Sequence, residues 1–306
     1  MLAFSRLMPR ARLALMTDGL GPRARAIRDG LVLAAVCFCA YLYVFWAVTE
    51  QTVGYDAFAY WSVDLDHLYE GAISEPGWFG YSPALAQVAS VFHLLPWHTF
   101  LWLWLALLVG TVIWLGGRRT LWLLAFPAVA FELHYANINL LIAAAIVLGF
   151  RYPAAWAFVV LAKVTPGVGL LWFLVRREWR KLGVAVGTTL ALAALSFAVA
   201  PHLWAQWVEA LTVSSTAVPP AILAVPVVVR MPLAIAVVVW GARSDRPWTV
   251  PVAATIAMPA FWYATVPSIL AAVLPLAGAR PRWRPEARAN LEGQRVGVNW
   301  LATGDD

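Results

Sequence analysis

A short acidic stretch around Asp56 is the first place in this chain where side chains could do chemistry. The carboxylate is followed closely by Tyr60 and Trp61. A carboxylate held among aromatic side chains loses part of its hydration, which raises its pKa and suits it to general-base catalysis. A solvated loop acid has the same local sequence, so both interpretations stay open. Asp64, Asp66 and His67 follow in an order that could bind a divalent metal, although solvated loops often have this spacing.

A second polar stretch lies between two apolar runs and contains Glu132, His134, Asn137 and Asn139. Four polar side chains this close together in an apolar region favour a functional site. The alternative is an ordinary loop in which Asn137 caps the next helix.

Two isolated cations could bind phosphate. Lys163 would bind it as a point charge, and Arg230 could bind it through parallel N–H groups. The structural alternatives are a Lys163 side chain that reaches to the membrane interface and an ion pair between Arg230 and Glu132.

The elements that position these groups are expected to be membrane helices. Of the 306 residues 62% are hydrophobic and only 12% are charged, and mean hydropathy is +0.73. Soluble domains have about 25% charged residues, so this chain lacks the polar surface of a water-soluble domain. Cys37 and Cys39 lie in an apolar run and are interpreted as small hydrophobic residues. The net charge of +6 comes from tails and short turns, which is typical of a membrane protein and gives no support for nucleic-acid binding.

The distribution of charge predicts the orientation. Residues 49–117 contain no Lys or Arg but six acidic residues, whereas the preceding tail is rich in Arg. Basic loops stay cytoplasmic. We therefore expect cytoplasmic tails at 1–30 and 279–306, so that both termini are inside, and a membrane domain at 31–278 with an outer loop at 49–96. The expected location is the plasma membrane.

The apolar runs predict an all-α, multi-pass protein with about ten transmembrane helices, some short or broken. After the first run at 31–48, the runs lie at about 97–115, 120–133, 138–150, 153–175, 182–200, 220–241, 248–262 and 264–278.

The run at 153–175 conflicts with the charge rule, because a single crossing would place Arg151 and Arg176 on opposite sides. A break near Lys163 and Pro166 removes the conflict. We expect two short helices, 152–162 and 167–175, that meet at an outward-open cavity around Lys163.

Four blocks, in this order, resemble glycosyltransferase family 87, a family of polyprenyl-phosphate-sugar-dependent enzymes with the GT-C membrane fold. They are Asp56-x-Phe58-x-Tyr60-Trp61 with Leu68-Tyr69, Phe79-Gly-Tyr81-Ser-Pro83, Glu132 through Asn137-Ile-Asn139-Leu-Leu, and Lys163-Val-Thr-Pro166 with Arg176 to Arg180. The resemblance covers about residues 31–210. Ala136 stands where the family usually has Gly, and the C-terminal third matches only loosely around Arg230.

The resemblance implies an inverting transfer of a sugar, most often mannose, from a polyprenyl-phosphate donor to a lipid or glycan acceptor. The reaction would take place on the outer side of the membrane, among its lipids. Asp56 would be the catalytic base, and Lys163 and Arg230 would hold the donor phosphate. The residues expected to bind substrate are Tyr60, Trp61, Tyr81, Glu132, His134 and Asn137. No cofactor and no metal ion are expected, because the two cations can neutralise the leaving phosphate.

Two other function classes fit part of the same pattern. A secondary transporter or flippase for an anionic solute or lipid also has broken helices and buried cations, but usually in two repeated halves. A lipid phosphatase or another lipid-modifying enzyme would need a nucleophile or a histidine set, and the five histidines are scattered.

Overall fold

The computed structural model describes residues 21–70, 75–216, 225–259 and 264–278, and all regular secondary structure in these ranges is helical. The α-helices, in chain order, are α1 (Pro22–Thr49), α2 (Tyr55–Trp61), α3 (Pro83–Ala89), α4 (Trp97–Gly116), α5 (Thr120–Leu124), α6 (Pro127–Tyr135), α7 (Asn139–Gly149), α8 (Trp156–Ala162), α9 (Leu171–Val175), α10 (Trp179–Val199), α11 (Pro201–Thr216), α12 (Val227–Arg243), α13 (Thr249–Ile256) and α14 (Val273–Ala277). Further 3-10 helices lie at Phe92–Leu94, Gly117–Arg119, Pro153–Ala155, Thr165–Leu170 and Val266–Ala272.

The helices belong to one structural unit that spans residues 14–277. The predicted C-terminal tail at 279–306 and residues 1–20 of the predicted N-terminal tail lie outside the described residues. Helix α1 begins at Pro22, so Arg23, Arg25 and Arg28 of the expected tail lie in its first turns.

Three described stretches are long and apolar enough to cross a membrane: Pro22–Thr49, Trp97–Leu124 and Trp179–Val199. A fourth results if α6 and α7 together form one broken span. On α10 the side chains of Leu190 and Val199 are 63% and 70% exposed. Apolar side chains this exposed are favourable in contact with lipid and unfavourable in contact with water. The described chain is thus an all-helical membrane protein, and the count of about ten crossings stays a prediction.

The apolar segments between residues 120 and 175 form short helices, because prolines interrupt them. Pro127 opens α6, and Pro153 opens the 3-10 turn before α8, as suits a residue without an amide hydrogen at a first helical position. Helix α7 packs against α4, α8 and the 3-10 helix Val266–Ala272. The site described below lies where these short helices end.

The predicted break at Lys163 is confirmed. Helix α8 ends at Ala162, Lys163 has an extended backbone with φ −148° and ψ 115°, and the chain becomes helical again at Thr165 as a 3-10 turn. The Lys163 side chain is therefore presented from an interruption between two apolar helices. We also predicted that the segment 167–175 turns back, so that it ends on the side of the membrane where the segment 152–162 begins. This stays a prediction.

Helix α11 was not predicted, because polar residues such as His202, Gln206 and Glu209 interrupt its apolar pattern. It packs against α3 and α10.

Candidate active site

Helix α2, which carries Asp56, is held close to α6 by the glycine that precedes it. Gly54 has a positive φ of 79°, and its N–H donates to the carbonyl oxygen of His134 at 2.8 Å. A Cβ atom at this position would lie 2.6 Å from Cδ1 of Leu101. Glycine suits the positive φ here, and a Cβ atom would crowd the Leu101 side chain of α4.

The second polar stretch forms a bend of 114° between α6 and α7. Ala136 ends α6 in the left-handed conformation, with φ 55° and ψ 45°, and its carbonyl oxygen accepts from Nε1 of Trp104 at 2.8 Å. The left-handed conformation costs a residue with a Cβ atom about 1–2 kcal/mol, which gives a physical reason for the family's usual glycine here. Asn137 and Asn139 lie on either side of Ile138 at this bend.

Asn137 connects the bend to Asp56. Its Nδ2 donates to Oδ2 of Asp56 at 2.5 Å, and its Oδ1 accepts from the backbone N–H of Ile138 at 2.6 Å. The hydroxyl of Tyr60 donates weakly to the same Oδ1 at 3.5 Å and lies 2.9 Å from the hydroxyl of Tyr81. The base candidate is thus part of a continuous hydrogen-bonded network.

Asn139 connects the bend to Lys163. The Lys163 ammonium donates to Oδ1 of Asn139 at 3.0 Å, and Nδ2 of Asn139 donates to Oε2 of Glu132 at 3.1 Å. The other carboxylate oxygen of Glu132 accepts from the backbone N–H of Leu140 at 3.0 Å, in the first turn of α7. A carboxylate at the N-terminus of this helix satisfies an amide that would otherwise have no partner and interacts favourably with the helix dipole.

The hydrogen-bonded side chains differ in how exposed they are. Glu132 and Asn139 are 0% exposed, whereas Asp56, Tyr81 and Lys163 are half-buried. The Lys163 ammonium also lies 5.8 Å from the centre of the Tyr81 ring, within range of a cation–π interaction.

Burial raises the pKa of Asp56 to about 6, and the hydrogen bond from Asn137 and the positive charge of Lys163 oppose part of the rise. A carboxyl group with this pKa is ionised at neutral pH and is still basic enough to accept a proton in a reaction. The bend between α6 and α7 therefore holds a base through Asn137 and a cation through Asn139.

Most of the residues predicted for the site come together: Asp56, Tyr60, Tyr81, Glu132, Asn137 and Lys163. Asn139 was noted only as part of the polar stretch, although it is the contact between Glu132 and Lys163. Its position two residues after Asn137, directly before α7, was the available signal.

Trp61 and His134 make contacts with the surrounding scaffold. Nε1 of Trp61 donates to the carbonyl oxygen of Leu95 at 2.8 Å. His134 is buried, with Nε2 2.9 Å from Oγ1 of Thr52 and its ring edge-on to Tyr43. A substrate contact for either residue stays a prediction.

Arg230 connects the beginning of α12 to the end of α13. Its guanidinium donates to the backbone carbonyl oxygens of Val225, Ile256 and Met258 at 2.9, 2.5 and 2.9 Å. The carboxylate of Glu132 is bonded to Asn139 and Leu140, as described above, rather than to Arg230. A phosphate-binding role for Arg230 stays a prediction.

The acids of the outer loop interact with one another. Nδ1 of His67 lies 3.1 Å from Oε2 of Glu70, and Oδ1 of Asp64 accepts from the backbone N–H of Asp66 at 3.0 Å. In the described ranges, no three His, Cys, Asp or Glu side chains are grouped so that they could hold a metal ion.

A cavity of about 320 Å³ lies beside these acids. Its lining includes Phe58, Trp78 and Phe79, but neither Asp56 nor Lys163. The cavity is therefore distinct from the hydrogen-bonded network.

A protein-family model matches most of the chain. The model of glycosyltransferase family 87 matches residues 78–291, which is well over half of the chain. The matched range contains Tyr81, the bend at Asn137, Lys163 and Arg230, and it begins after Asp56. It also includes most of the C-terminal third, where we expected only a loose resemblance. No curated protein and no solved structure matches the chain. The chain belongs to glycosyltransferase family 87.

Proposed function

We propose that this glycosyltransferase moves a sugar, with mannose favoured, from a polyprenyl-phosphate donor to a lipid or glycan acceptor. The observation that carries the proposal is that two asparagines of one bend hold the two groups, Asn137 through a hydrogen bond to Asp56 and Asn139 through a hydrogen bond from Lys163. The family supplies the reaction class, and these two groups supply the acid–base and phosphate chemistry that a sugar-phosphate donor requires.

The proposed reaction is a single displacement at the anomeric carbon. The acceptor oxygen forms the new bond to this carbon while the bond from the carbon to the phosphate oxygen breaks. Asp56 takes the proton of the acceptor hydroxyl, and the bonding electrons leave with the phosphate. Attack from the face opposite the leaving group inverts the anomeric centre.

Lys163 would stabilise the leaving phosphate. As the bond breaks, negative charge grows on the phosphate oxygens, and a cation already in place lowers the energy of that transition state. Asn139 occupies only one of the three N–H donors that an ammonium group has, and the side chain is only half-buried. Arg230 is proposed as a second contact to the donor phosphate.

A lipid-linked donor suits the setting of this site. Lys163 lies between short apolar helices of a membrane protein, where a polyprenyl chain can remain in lipid while its phosphate reaches the cation. Tyr60, Trp61, Tyr81, Glu132, His134 and Asn137 are proposed to contribute to substrate binding, either directly or through the network.

We further propose a GT-C-like arrangement of about ten crossings in the plasma membrane. The tails 1–30 and 279–306 are placed inside and the loop 49–96 outside, so that Asp56 faces the outer side. This orientation rests on the absence of Lys and Arg from residues 49–117.

A transfer assay tests this function. The purified protein is reconstituted in lipid vesicles with radiolabelled polyprenyl-phosphate-mannose and a membrane lipid extract as acceptor, and the product is analysed for the sugar and its anomeric configuration. Polyprenyl-phosphate-glucose and a nucleotide-linked mannose are run in parallel.

We expect sugar transfer from the polyprenyl-phosphate donor, and we expect Asp56→Asn to reduce its rate by about 10² to 10⁴-fold. Transfer from the nucleotide-linked sugar alone would contradict the proposed donor. A protein that moves an anionic solute or lipid across the vesicle membrane but transfers no sugar would favour a transporter or flippase.

A further inference from the structure

The side-chain amides of Asn137 and Asn139 are each fixed in one orientation. The two ends of an amide have nearly the same shape, so their hydrogen-bond partners decide which end points where. The oxygen of Asn137 is bonded to the N–H of Ile138, which leaves its NH₂ group for Asp56. The NH₂ group of Asn139 is bonded to Glu132, which leaves its oxygen for Lys163.

We propose that Asn137 and Asn139 are a pair of positioning residues, of which the first orients the carboxylate of Asp56 and the second orients the ammonium group of Lys163. Only Ile138 separates the two asparagines, so the bend between α6 and α7 sets the distance between base and cation. The inference rests on the proposed function, which assigns these two groups their roles.

Glu132 determines the orientation of the second amide. Its two carboxylate oxygens accept from Leu140 and from Asn139, and it is completely buried. It therefore acts on Lys163 through Asn139, without any need to contact the substrate. The arrangement predicts that the positions of hydrogen-bond donors and acceptors at residues 132 and 139 affect the orientation of Lys163 more than the sizes of the side chains do.

Glu132→Gln changes this polarity without changing the size of the side chain. The remaining oxygen at position 132 can accept from Leu140, which leaves an NH₂ group to face Asn139. The amide of Asn139 then turns around, and its NH₂ group meets the ammonium group of Lys163. The KM for polyprenyl-phosphate-mannose should rise about tenfold or more, as expected for the loss of a hydrogen bond to a charged group. Glu209→Gln, on the exposed side of α11, is the matched control and should leave KM unchanged.

The double variant Glu132→Gln with Asn139→Asp tests the mechanism directly. The NH₂ group at position 132 can now donate to the carboxylate at position 139, which can also accept from Lys163. The total charge of the three positions is unchanged. We expect Asn139→Asp alone to be impaired, because two carboxylates face each other, and the double variant to recover a KM within about threefold of the parent.

Space filling alone predicts no such rescue, since the exchanged groups have the same size. An unchanged KM in Glu132→Gln, or a double variant no better than the worse single variant, would overturn the assignment of Asn139.

The pH dependence of Asn137→Leu tests the other asparagine. This change removes the N–H that stabilises the charged form of Asp56 and leaves the other facing groups in place, namely Lys163, Glu132, Tyr60 and Tyr81. The acidic limb of kcat/KM should move to higher pH, with little change in donor KM. If the acidic limb of kcat/KM in Asn137→Leu lies at the same pH as in the parent, the assignment of Asn137 is overturned.

Thermal unfolding separates a failure of this inference from a failure of the proposed function. If the parent protein transfers no sugar from any polyprenyl phosphate, the proposed function fails. The unfolding midpoints of the parent, both single variants at 132 and 139 and the double variant are still measurable. We expect strongly non-additive midpoints, because the two side chains are in direct contact. Additive midpoints would overturn the hydrogen-bonded chain from Glu132 to Lys163 whatever the activity.

Discussion

The side-chain amide of Asn137 donates to the carboxylate of Asp56 across a separation of 81 residues in sequence. This bond joins the short outer-loop helix α2 to the bend between α6 and α7. The position of the base therefore depends on two elements that are distant in sequence, and the loop cannot shift without disturbing the bond.

Asp56→Asn should reduce turnover by about 10² to 10⁴-fold, the usual contribution of a general base. The substitution keeps the size of the side chain and an oxygen that can accept from Asn137. Donor KM should stay within a few-fold of the parent value, because the base acts on the acceptor. Initial rates with varied polyprenyl-phosphate-mannose measure both quantities. Asp64→Asn, in the exposed loop, is the control and should retain full activity. Turnover near the parent rate in Asp56→Asn would place the base at another carboxyl group such as Glu132.

The activity should fall on acidification with a midpoint near pH 6. The pKa of Asp56 is raised to about 6 by burial, and only the ionised form can accept the proton. The value of kcat/KM should thus be level above this pH and decline about tenfold per pH unit well below it. The residual activity of Asp56→Asn should lack this limb. A parent profile that is level down to pH 4.5 would exclude a base with this pKa.

Lys163→Met should weaken donor binding as well as turnover. Methionine keeps the apolar stem and removes the charge that contacts the phosphate in both the ground state and the transition state. We expect the affinity for polyprenyl phosphate alone to fall about 10- to 100-fold, as for a lost hydrogen bond between charged groups. Lys181→Met is the control, because the ammonium of Lys181 is paired with Glu178 outside the network. If the parent and Lys163→Met bind polyprenyl phosphate with equal affinity, Lys163 does not bind the donor phosphate.

Gly54→Ala should destabilise the protein by about 1–3 kcal/mol and lower its activity. The new methyl group would meet Leu101, and the backbone would keep a positive φ that alanine disfavours. Gly30→Ala is the matched control, since its Cβ would meet no atom within 4 Å inside helix α1. The control should be neutral or slightly stabilising. Thermal unfolding and transfer rate are measured for both, and similar behaviour of the two variants would contradict the close approach of α2.

The orientation predicts which positions an impermeant thiol reagent can label in intact cells. Cys37 and Cys39 are first replaced by Ser and Ala, because the structure leaves Cys37 exposed. Asp64→Cys should then be labelled in intact cells, and Arg118→Cys only after the membrane is opened. The opposite pattern would reverse the proposed topology.

The sequence predicted which residues would come together better than it predicted how they would interact. In an apolar chain a polar side chain needs a partner, so Asp56, Glu132 and Lys163 could be expected to lie near one another. The pattern of donors and acceptors could not be predicted, because an asparagine can present either end of its amide. Arg230 shows the same difficulty, since its observed acceptors are backbone carbonyls, which every segment offers.

The lengths of the helices could not be predicted from the pattern of apolar residues either. The interruption at Lys163 was predictable because the apolar run contains a charged residue and, three residues later, Pro166. Helix α5 ends at Leu124, short of the predicted run to residue 133, because Pro127 begins a new helix. Hydropathy alone does not distinguish one long span from two short helices with the same composition.

The bonds of Glu132 have a consequence for the order in which the chain is made. Its partners Asn139 and Leu140, and Lys163 beyond them, all lie C-terminal to it. The carboxylate therefore leaves the ribosome before any of these partners does. An unpaired charge in the centre of a bilayer costs at least about 2.5–3.5 kcal/mol. Residues 127–163 are thus expected to settle into the membrane as one unit during biosynthesis, after Lys163 has left the ribosome.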